Sequence, residues 1–315
     1  MRPVRTAFAG ALLGTLVLTG CGQNSTTTTP SPASSTGSTG STAYPVTVEA
    51  ANGKVTIAKK PERIVSLSAS HTETLFAIGA GPQVIAVDDQ SNYPAGVPKT
   101  DLSGFKPNVE AIVAQKPDLV VVSNDIDKVV AELGKLNVPV LLEPAATKLD
   151  EAYDEITDLG AATGNTDKAG QVVTGMKTAL DKLAANAPKD KKLTYYHELD
   201  QTPYAATSST FIGQIYGMFG LTNIADKAPD PAGGYPKLSA EFVAQADPDL
   251  IFLADVKCCQ QSKDTLAKRP GWKGLSAIKS DQVIQLDDDL ASRWGPRVVD
   301  LAQSISDAVA KAATR

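Results

Sequence analysis

The chain has 315 residues, of which 42% are hydrophobic and only 5% aromatic, and its formal net charge is −5. This length and composition predict one large or two medium-sized globular domains with a sizeable core. The negative charge argues against nucleic acid as a partner, because binding a phosphate backbone requires a basic surface.

The first 20 residues have the pattern of an export signal. Arg2 and Arg5 precede an apolar stretch, 7–18, which is shorter than the ~20 residues that a membrane-spanning helix needs. The stretch ends in Leu-Thr-Gly-Cys at Cys21, which resembles the bacterial lipobox. We therefore expect cleavage of residues 1–20 and lipidation of Cys21. An ordinary secretory signal followed by a chance cysteine is the alternative.

Residues 21–43 consist mostly of Ser, Thr, Gly and Pro. Such a segment has nothing to bury and predicts a flexible tether, with an r.m.s. reach of roughly 25 Å. Signal and tether together predict a domain held at the extracytoplasmic face of the cell membrane by a lipid anchor.

An N-terminal α/β lobe is predicted for residues 44–163. Asn52-Gly53 between two loosely alternating segments indicates a hairpin. Short aliphatic runs then alternate with helical segments, as in a mainly parallel sheet, and these runs are 63–67, 84–87, 119–122 and 138–142. Polar loops at 88–94 and 104–107 follow strands, where α/β folds place ligand contacts.

A long amphipathic helix is predicted over residues 166–186, within a connecting segment that we place at 164–187. A helix of about 20 residues spans ~30 Å and can serve as a rigid connector. Residues 188–315 then predict a second α/β lobe, with strands at 193–197, 250–253 and 283–286, a helix at 207–219 and a final helix at 298–312.

One phrase occurs in both predicted lobes. Residues 109–122 read VEAIVAQKPDLVVV, and residues 240–253 read AEFVAQADPDLIFL. In each copy a glutamate, Glu110 or Glu241, precedes a Pro-Asp-Leu sequence at the same spacing. The glutamates are either first-turn charges favoured by the helix dipole or a matched pair of carboxylates presented at one surface.

The adjacent Cys258 and Cys259 are the only cysteines besides Cys21. Because the chain carries an export signal, we rank a vicinal disulfide first, free thiols second and a metal site third. We expect no metal site and no resident cofactor.

From Arg63 to the C-terminus the sequence resembles the class III solute-binding proteins of ABC importers, which bind ferric siderophores, haem and vitamin B12. The motifs that carry the resemblance are RIVSLSASHTETLFAIGAG, the SNYP loop, PNVEAIVAQKPDLVVV, the second PDL strand and WGPR. The resemblance implies two α/β lobes with central, mainly parallel sheets joined by one long α-helix, and a ligand in the cleft between them. It implies a monomer that partners an ABC permease dimer with its cytoplasmic ATPase.

The resemblance also implies a role for the repeated glutamates, since one carboxylate per lobe docks on the permease in this family. Glu110 and Glu241 stand at those positions. Residues implied in ligand binding are Gln90, Tyr93, Phe105, Asn124, Tyr235, Asp289, Arg293, Trp294 and Arg297.

Two features of these residues bear on the ligand. The vitamin B12 branch surrounds its ligand with aromatic residues, whereas positions 90, 104 and 123 are Gln, Gly and Ser. Arg293 and Arg297 are the best candidates for binding an anionic siderophore, because guanidinium matches carboxylate or catecholate geometry. The structural alternatives are that Trp294 is a core residue, that Arg297 pairs with acids of the 287–289 run, and that Tyr93 anchors a turn.

Enzymatic activity is not expected. The sequence has no Gly-x-Ser-x-Gly, no His-x-x-x-His and no phosphate-binding glycine loop, and it contains only two histidines. We therefore predict a non-catalytic receptor for a metal chelate, either a ferric siderophore or a corrinoid. An exported hydrolase and a structural envelope lipoprotein are the alternatives.

Overall fold

The computed structural model describes residues 43–314, which fall within one compact unit, Gly40–Arg315. The signal segment, Cys21 and nearly all of the tether predicted from the sequence lie outside the described residues. Among the described helices, none combines the length and the apolar character that crossing a membrane requires.

Two four-stranded parallel sheets organise the described chain, and an antiparallel hairpin of β1 (Val46–Ala50) and β2 (Gly53–Ile57) precedes them. The first sheet has the order β4-β3-β5-β6, and the second has the order β8-β7-β9-β10. The strands are β3 (Ile64–Leu67), β4 (Val84–Val87), β5 (Leu119–Val122), β6 (Val140–Leu142), β7 (Thr194–Glu198), β8 (Thr222–Asn223), β9 (Leu250–Leu253) and β10 (Val283–Gln285). Both sheets therefore have the same topology, which confirms the predicted α/β class.

Eleven α-helices surround these sheets within residues 43–314. Their bounds are α1 (Ala69–Ala77), α2 (Val109–Ala114), α3 (Val129–Lys135), α4 (Leu149–Thr163), α5 (Thr166–Asn186), α6 (Phe211–Gly217), α7 (Ala240–Ala246), α8 (Val256–Cys259), α9 (Lys263–Leu266), α10 (Ser276–Lys279) and α11 (Val298–Ala313). The long helix α5 runs between the last strand of the first sheet and the first strand of the second. It packs against α4 and against α11, so the C-terminal helix returns to the connector.

The repeated sequence phrase produces the same local structure twice. Asn108 caps α2 by accepting a bond from the Ala111 N–H (3.0 Å), and Ser239 caps α7 by accepting one from the Phe242 N–H (3.1 Å). A capping side chain satisfies a backbone donor that the helix leaves open. Both helices begin one residue before their glutamate, so the two carboxylates occupy equivalent first-turn positions.

The aspartate of each Pro-Asp-Leu sequence joins neighbouring strands. Asp118 accepts bonds from the backbone N–H groups of Glu62 (3.0 Å) and Arg63 (2.9 Å), just before β3. Asp249 accepts bonds from the N–H and the hydroxyl of Thr194, both at 2.8 Å, at the start of β7. Each aspartate thus satisfies backbone donors at the amino end of the adjacent strand, a role that the sequence analysis did not identify.

The largest hydrophobic cluster is shared by the two lobes. It contains Ile64 and Leu119 from the first sheet, Phe252 from the second, and Met176 and Leu180 from α5. Buried apolar contact of this kind resists separation of the lobes, because opening it would expose the shared surface to water. The fold therefore favours a cleft that changes shape only modestly.

Two helices differ in how they begin. Ser68 is the N-cap residue of α1, but its side chain makes no capping hydrogen bond. The helix predicted over 207–219 is shorter, Phe211–Gly217, because the side chain of Thr210 caps it by accepting a bond from the Gly213 N–H (3.0 Å).

Candidate ligand site at the lobe junction

A cavity of about 220 Å³ lies at the carboxyl ends of the first-sheet strands. One side is formed by the segments that follow β3, β4 and β5, and the other side by the segment that follows β10 of the second sheet. The lining residues are Leu67, Ser68, Ala69, Ser70, Asp88, Gln90, Gly104, Phe105, Ser123, Asn124, Asp289, Ser292, Arg293 and Trp294. Ligands of α/β proteins bind at this edge of a sheet, where loops from several strands converge.

Close packing explains why position 104 is glycine. A Cβ atom at Gly104 would collide with the carbonyl oxygen of Leu67 at the end of β3. The side chain of Asn124 donates a bond to the Gly104 carbonyl oxygen (3.3 Å) and so joins this loop to the end of β5. An aromatic side chain cannot be accommodated at 104, and Phe105 next to it lines the cavity instead, together with Trp294.

A buried ion-pair network forms the opposite side of the cavity. Glu73 of α1, with 2% of its side chain exposed, bonds to Arg293 and also to Arg297 (Nε–Oε2 2.8 Å, Nη2–Oε1 2.5 Å). These contacts join the first lobe to residues more than 200 positions later in the chain. Bidentate pairing of guanidinium with carboxylate fixes geometry as well as charge.

Asp289 connects this network to both lobes. It accepts bonds from Arg293 Nη2 (2.9 Å), from Asn92 Nδ2 in the first lobe (3.0 Å) and from Lys257 Nζ in the second (3.0 Å). Burial tends to raise the pKa of Asp289, but these donors outweigh it and the net shift is downward. The carboxylate is therefore held in its charged form at the cavity wall.

Asp88 is a second carboxyl group in the cavity wall. It follows β4, is buried, and accepts a bond from the Ser91 hydroxyl (2.5 Å). Burial raises the pKa of Asp88 above its ordinary value. Asp88 begins the polar loop 88–94, which was predicted to hold ligand contacts because it follows a strand, although Asp88 itself was not among the candidate ligand residues.

Trp294 is half-buried and lines the cavity, so it is not a fully enclosed core residue. Its indole N–H donates to Glu155 of α4 (2.9 Å), which also bonds to His71 (3.1 Å). The ring packs edge-on against His71 at a centroid distance of 6.0 Å. His71 thus has a structural position behind the tryptophan.

The structure brings six of the nine candidate ligand residues together at the cavity. These six are Gln90, Phe105, Asn124, Asp289, Arg293 and Trp294. Tyr93 and Arg297 line a separate cavity of about 310 Å³ with Glu73, where the guanidinium of Arg297 lies 4.0 Å from the centroid of the Tyr93 ring. Tyr235 lines neither cavity and is exposed in the loop before α7.

Cys258 and Cys259 form a disulfide pair at the end of α8. Neither cysteine lines the cavity. The first turn of α8 is held instead by Asp288, which accepts bonds from the N–H groups of Val256 (2.9 Å), Lys257 (3.0 Å) and Cys258 (2.9 Å).

Glu110 and Glu241 are both exposed. Among the ion pairs between described residues, neither carboxylate takes part in one. Both side chains are therefore available to a partner. We also find no group of three or more His, Cys, Asp or Glu residues suited to a metal ion within residues 43–314.

Two parallel-sheet lobes on either side of a polar and aromatic cavity define a ligand-binding protein of the two-lobed class. Residues 64–290 match the family described as periplasmic binding protein. The chain belongs to this family.

Individual relatives extend the likeness over most of the chain. A Bacillus subtilis protein described as an uncharacterized ABC transporter substrate-binding lipoprotein is 30% identical, with 96% of each chain covered. A cobalamin-binding protein of Halobacterium salinarum is 28% identical over 82% of this chain and 72% of its own. A solved structure from Staphylococcus epidermidis, described as a possible iron-binding periplasmic solute-binding protein, has a TM-score of 0.69 and 27% identity, and covers 80% of this chain and 99% of that one.

Proposed function

We propose that this protein is the extracytoplasmic substrate-binding component of an ABC importer. It captures a metal chelate, either a ferric siderophore or a corrinoid, between its lobes and delivers it to the permease. Membership of the periplasmic binding protein family and the likeness to a substrate-binding lipoprotein support this role.

The structural equivalence of Glu110 and Glu241 is the observation that best supports delivery of the chelate to a permease. Each is exposed, lies in the first turn of a side-chain-capped helix, and precedes a strand at the same position in its sheet. A dimeric permease has two like surfaces, so a monomer that docks on it needs two like contacts. Exposed carboxylates of this kind direct association and fix orientation more than they contribute raw affinity.

Chelate capture is supported by the composition of the cavity wall. Phe105 and Trp294 provide ring faces, and serine, asparagine and glutamine side chains provide hydrogen-bond partners. A volume of about 220 Å³ is below the ~300–1,000 Å³ of typical ligand pockets. A bulky chelate therefore enters with one part and leaves the remainder at the mouth, where Phe105 is 66% exposed.

The membrane attachment rests on the sequence of the first 43 residues. We propose lipidation at Cys21 and a tether, 21–43, that lets the two-lobed domain move above the membrane. The related substrate-binding protein of Bacillus subtilis is also described as a lipoprotein. The protein acts as a monomer and without catalysis in this proposal.

Uptake of radiolabelled cyanocobalamin and of radiolabelled ferrioxamine B, in cells that carry the cognate permease, tests the proposal. We expect Glu110→Ala combined with Glu241→Ala to reduce uptake at least tenfold while chelate affinity stays within about twofold of the parent, because the glutamates lie outside the cavity. Glu132→Ala is the matched control, since Glu132 is a helical glutamate with 44% of its side chain exposed that pairs only with Lys135 among described residues. Normal uptake by the double variant would refute the docking role.

A further inference from the structure

The cationic side chains around the cavity are already neutralised by carboxylates. Within the described part of the chain, Arg293 is the only cationic residue that lines the cavity. It is 9% exposed, and its guanidinium contacts Glu73, Asp289 and the carbonyl oxygen of Gln90 (2.9 Å). Three of its five N–H donors are thus bonded to acceptors of the protein.

The two nearest cations of this network are paired as well. Arg297 makes two bonds to Glu73 and covers the Tyr93 ring, on the side of the separate cavity. Lys257 Nζ lies 2.8 Å from Asp287 and 3.0 Å from Asp289. Lys106 follows Phe105 in the sequence, but it is exposed and does not line the cavity.

The network therefore has no positive charge to offer a ligand. Glu73, Asp287 and Asp289 balance the three cations Arg293, Arg297 and Lys257. Asp88 in the cavity wall and Asp288 on the N-terminus of α8 are additional carboxyl groups. The remaining polar lining consists of neutral groups, contributed by Ser68, Ser70, Gln90, Ser123, Asn124 and Ser292.

We infer that the cavity selects a metal chelate that is uncharged or cationic and rejects polyanionic chelates such as ferric tricatecholates and ferric citrate. This inference rests on the proposed function and specifies the ligand for the same site. It reverses the sequence-based assignment of Arg293 and Arg297 as binding groups for an anionic siderophore.

The physical reason is the cost of placing negative charge beside Asp289 and Asp88. An incoming polyanion can gain a guanidinium only by displacing a carboxylate that is already bonded to it. That displaced carboxylate is then left partly buried without its partner, which is strongly unfavourable. Unpaired like charges in a partly desolvated site are a common means of excluding a competing ligand.

A set of chelates with graded charge tests the inference by isothermal titration calorimetry on the purified full chain. Ferrioxamine B and aquocobalamin carry one positive charge, ferrichrome and cyanocobalamin are neutral, and ferric enterobactin is a trianion. We expect at least one cationic or neutral chelate to bind about 100-fold more tightly than the trianion and than ferric citrate. If either polyanion bound more tightly than every cationic and neutral chelate, the inference would be overturned, but the proposal that the protein captures a chelate would stand. Absence of binding by every probe would overturn the proposed function as well.

Asp289→Asn provides an independent test, since asparagine keeps the shape and one acceptor but removes the charge that balances Arg293 and Lys257. We expect the affinity for ferric enterobactin to rise about tenfold. The ratio of the affinity for a cationic or neutral chelate to the affinity for ferric enterobactin should therefore fall. Asp307→Asn, at an exposed position of α11, is the charge-matched control and should not alter the preference. An unchanged preference in Asp289→Asn would contradict the electrostatic account.

Salt dependence of the parent chain supplies a test that needs no variant. Raising ionic strength screens repulsion as well as attraction. Affinity for a trianionic chelate should therefore increase between 50 mM and 500 mM NaCl, and affinity for a monocationic chelate should decrease. A trianion that binds less tightly at high salt would indicate attraction by the site and would overturn the inference.

Discussion

At the scale of single residues, Glu73 is the side chain on which the lobe junction depends most. It is 3% exposed and contacts two arginines from the segment between β10 and α11. Removing one partner of a buried ion pair leaves uncompensated charge, which costs more than the pair itself contributes. Glu73 therefore has a stabilising role that is separate from ligand contact.

We predict that Glu73→Gln lowers the free energy of unfolding by about 3 kcal/mol, because Arg293 and Arg297 both lose their charged acceptor. Urea denaturation followed by circular dichroism measures the change. Glu132→Gln, which breaks the exposed pair with Lys135, is the control and should have little effect. Equal stability of Glu73→Gln and the parent would show that the network does not hold the lobes together.

The Glu73 contacts could not be predicted from the sequence. Arg293 and Arg297 are separated from Glu73 by 220 and 224 residues, and no local pattern indicates which acid an arginine meets after folding. The sequence analysis considered Asp287–Asp289 as the partners of Arg297 because they were near in the chain. In the structure Arg297 bonds to Glu73, and among the acids of that run Asp289 bonds to Arg293 instead.

At the scale of secondary-structure elements, the repeated helix–Pro-Asp–strand unit was predictable because its signals are local. The buried run of β5, the apolar face of α2 and the proline between them lie within fourteen residues, and the second copy has the same order. Helix α5 was predicted with its observed bounds, Thr166–Asn186, for the same reason. The short helices α8, α9 and α10 were not predicted, since four residues provide too little periodicity.

The repeat also gives a matched pair of predictions for its aspartates. Asp118→Ala and Asp249→Ala should each lower the free energy of unfolding by about 1–3 kcal/mol. The first leaves two backbone N–H groups without an acceptor, and the second leaves the N–H and the hydroxyl of Thr194 without one. Chemical denaturation of both variants measures this, with Asp307→Ala as the exposed control. A large effect at one site and none at the other would mean that the two copies do not perform the same structural task.

At the scale of the whole molecule, buried carboxyl groups make the stability depend on pH. Burial, together with the nearby charges of Asp158 and Glu155, raises the pKa of Glu143, which follows β6, to about 8. Burial, together with Glu198, likewise raises the pKa of Asp255, which follows β9, to about 7. A carboxyl whose pKa is raised by folding binds its proton in the folded state at a pH where the unfolded chain has lost it. Its contribution to stability is therefore fully present at low pH and disappears as pH rises toward the folded pKa.

We predict that Glu143→Gln raises the melting temperature relative to the parent by an amount that grows from pH 5 to pH 8.5. The variant lacks the ionisation that opposes folding at the higher pH. Burial lowers the pKa of His197 to about 4, and because both chains contain this histidine, its effect on stability is the same in each and drops out of the difference. Differential scanning calorimetry at several pH values measures the difference. A constant difference across this range would contradict the assignment of the titration to Glu143.

The proposed function depends above all on the binding of a metal chelate in the cavity beside Trp294. The most direct measurement is a titration of tryptophan emission, corrected for absorption by the chelate, with cyanocobalamin and ferrioxamine B. We predict saturable quenching with submicromolar affinity for one of them. Trp272 is the other tryptophan and is fully buried in the second lobe, so the quenching should become clearly weaker in Trp294→Phe while calorimetry still detects binding. Quenching of equal depth in Trp294→Phe and the parent would place the ligand away from Trp294, and no quenching by either chelate in the parent would refute binding in this cavity.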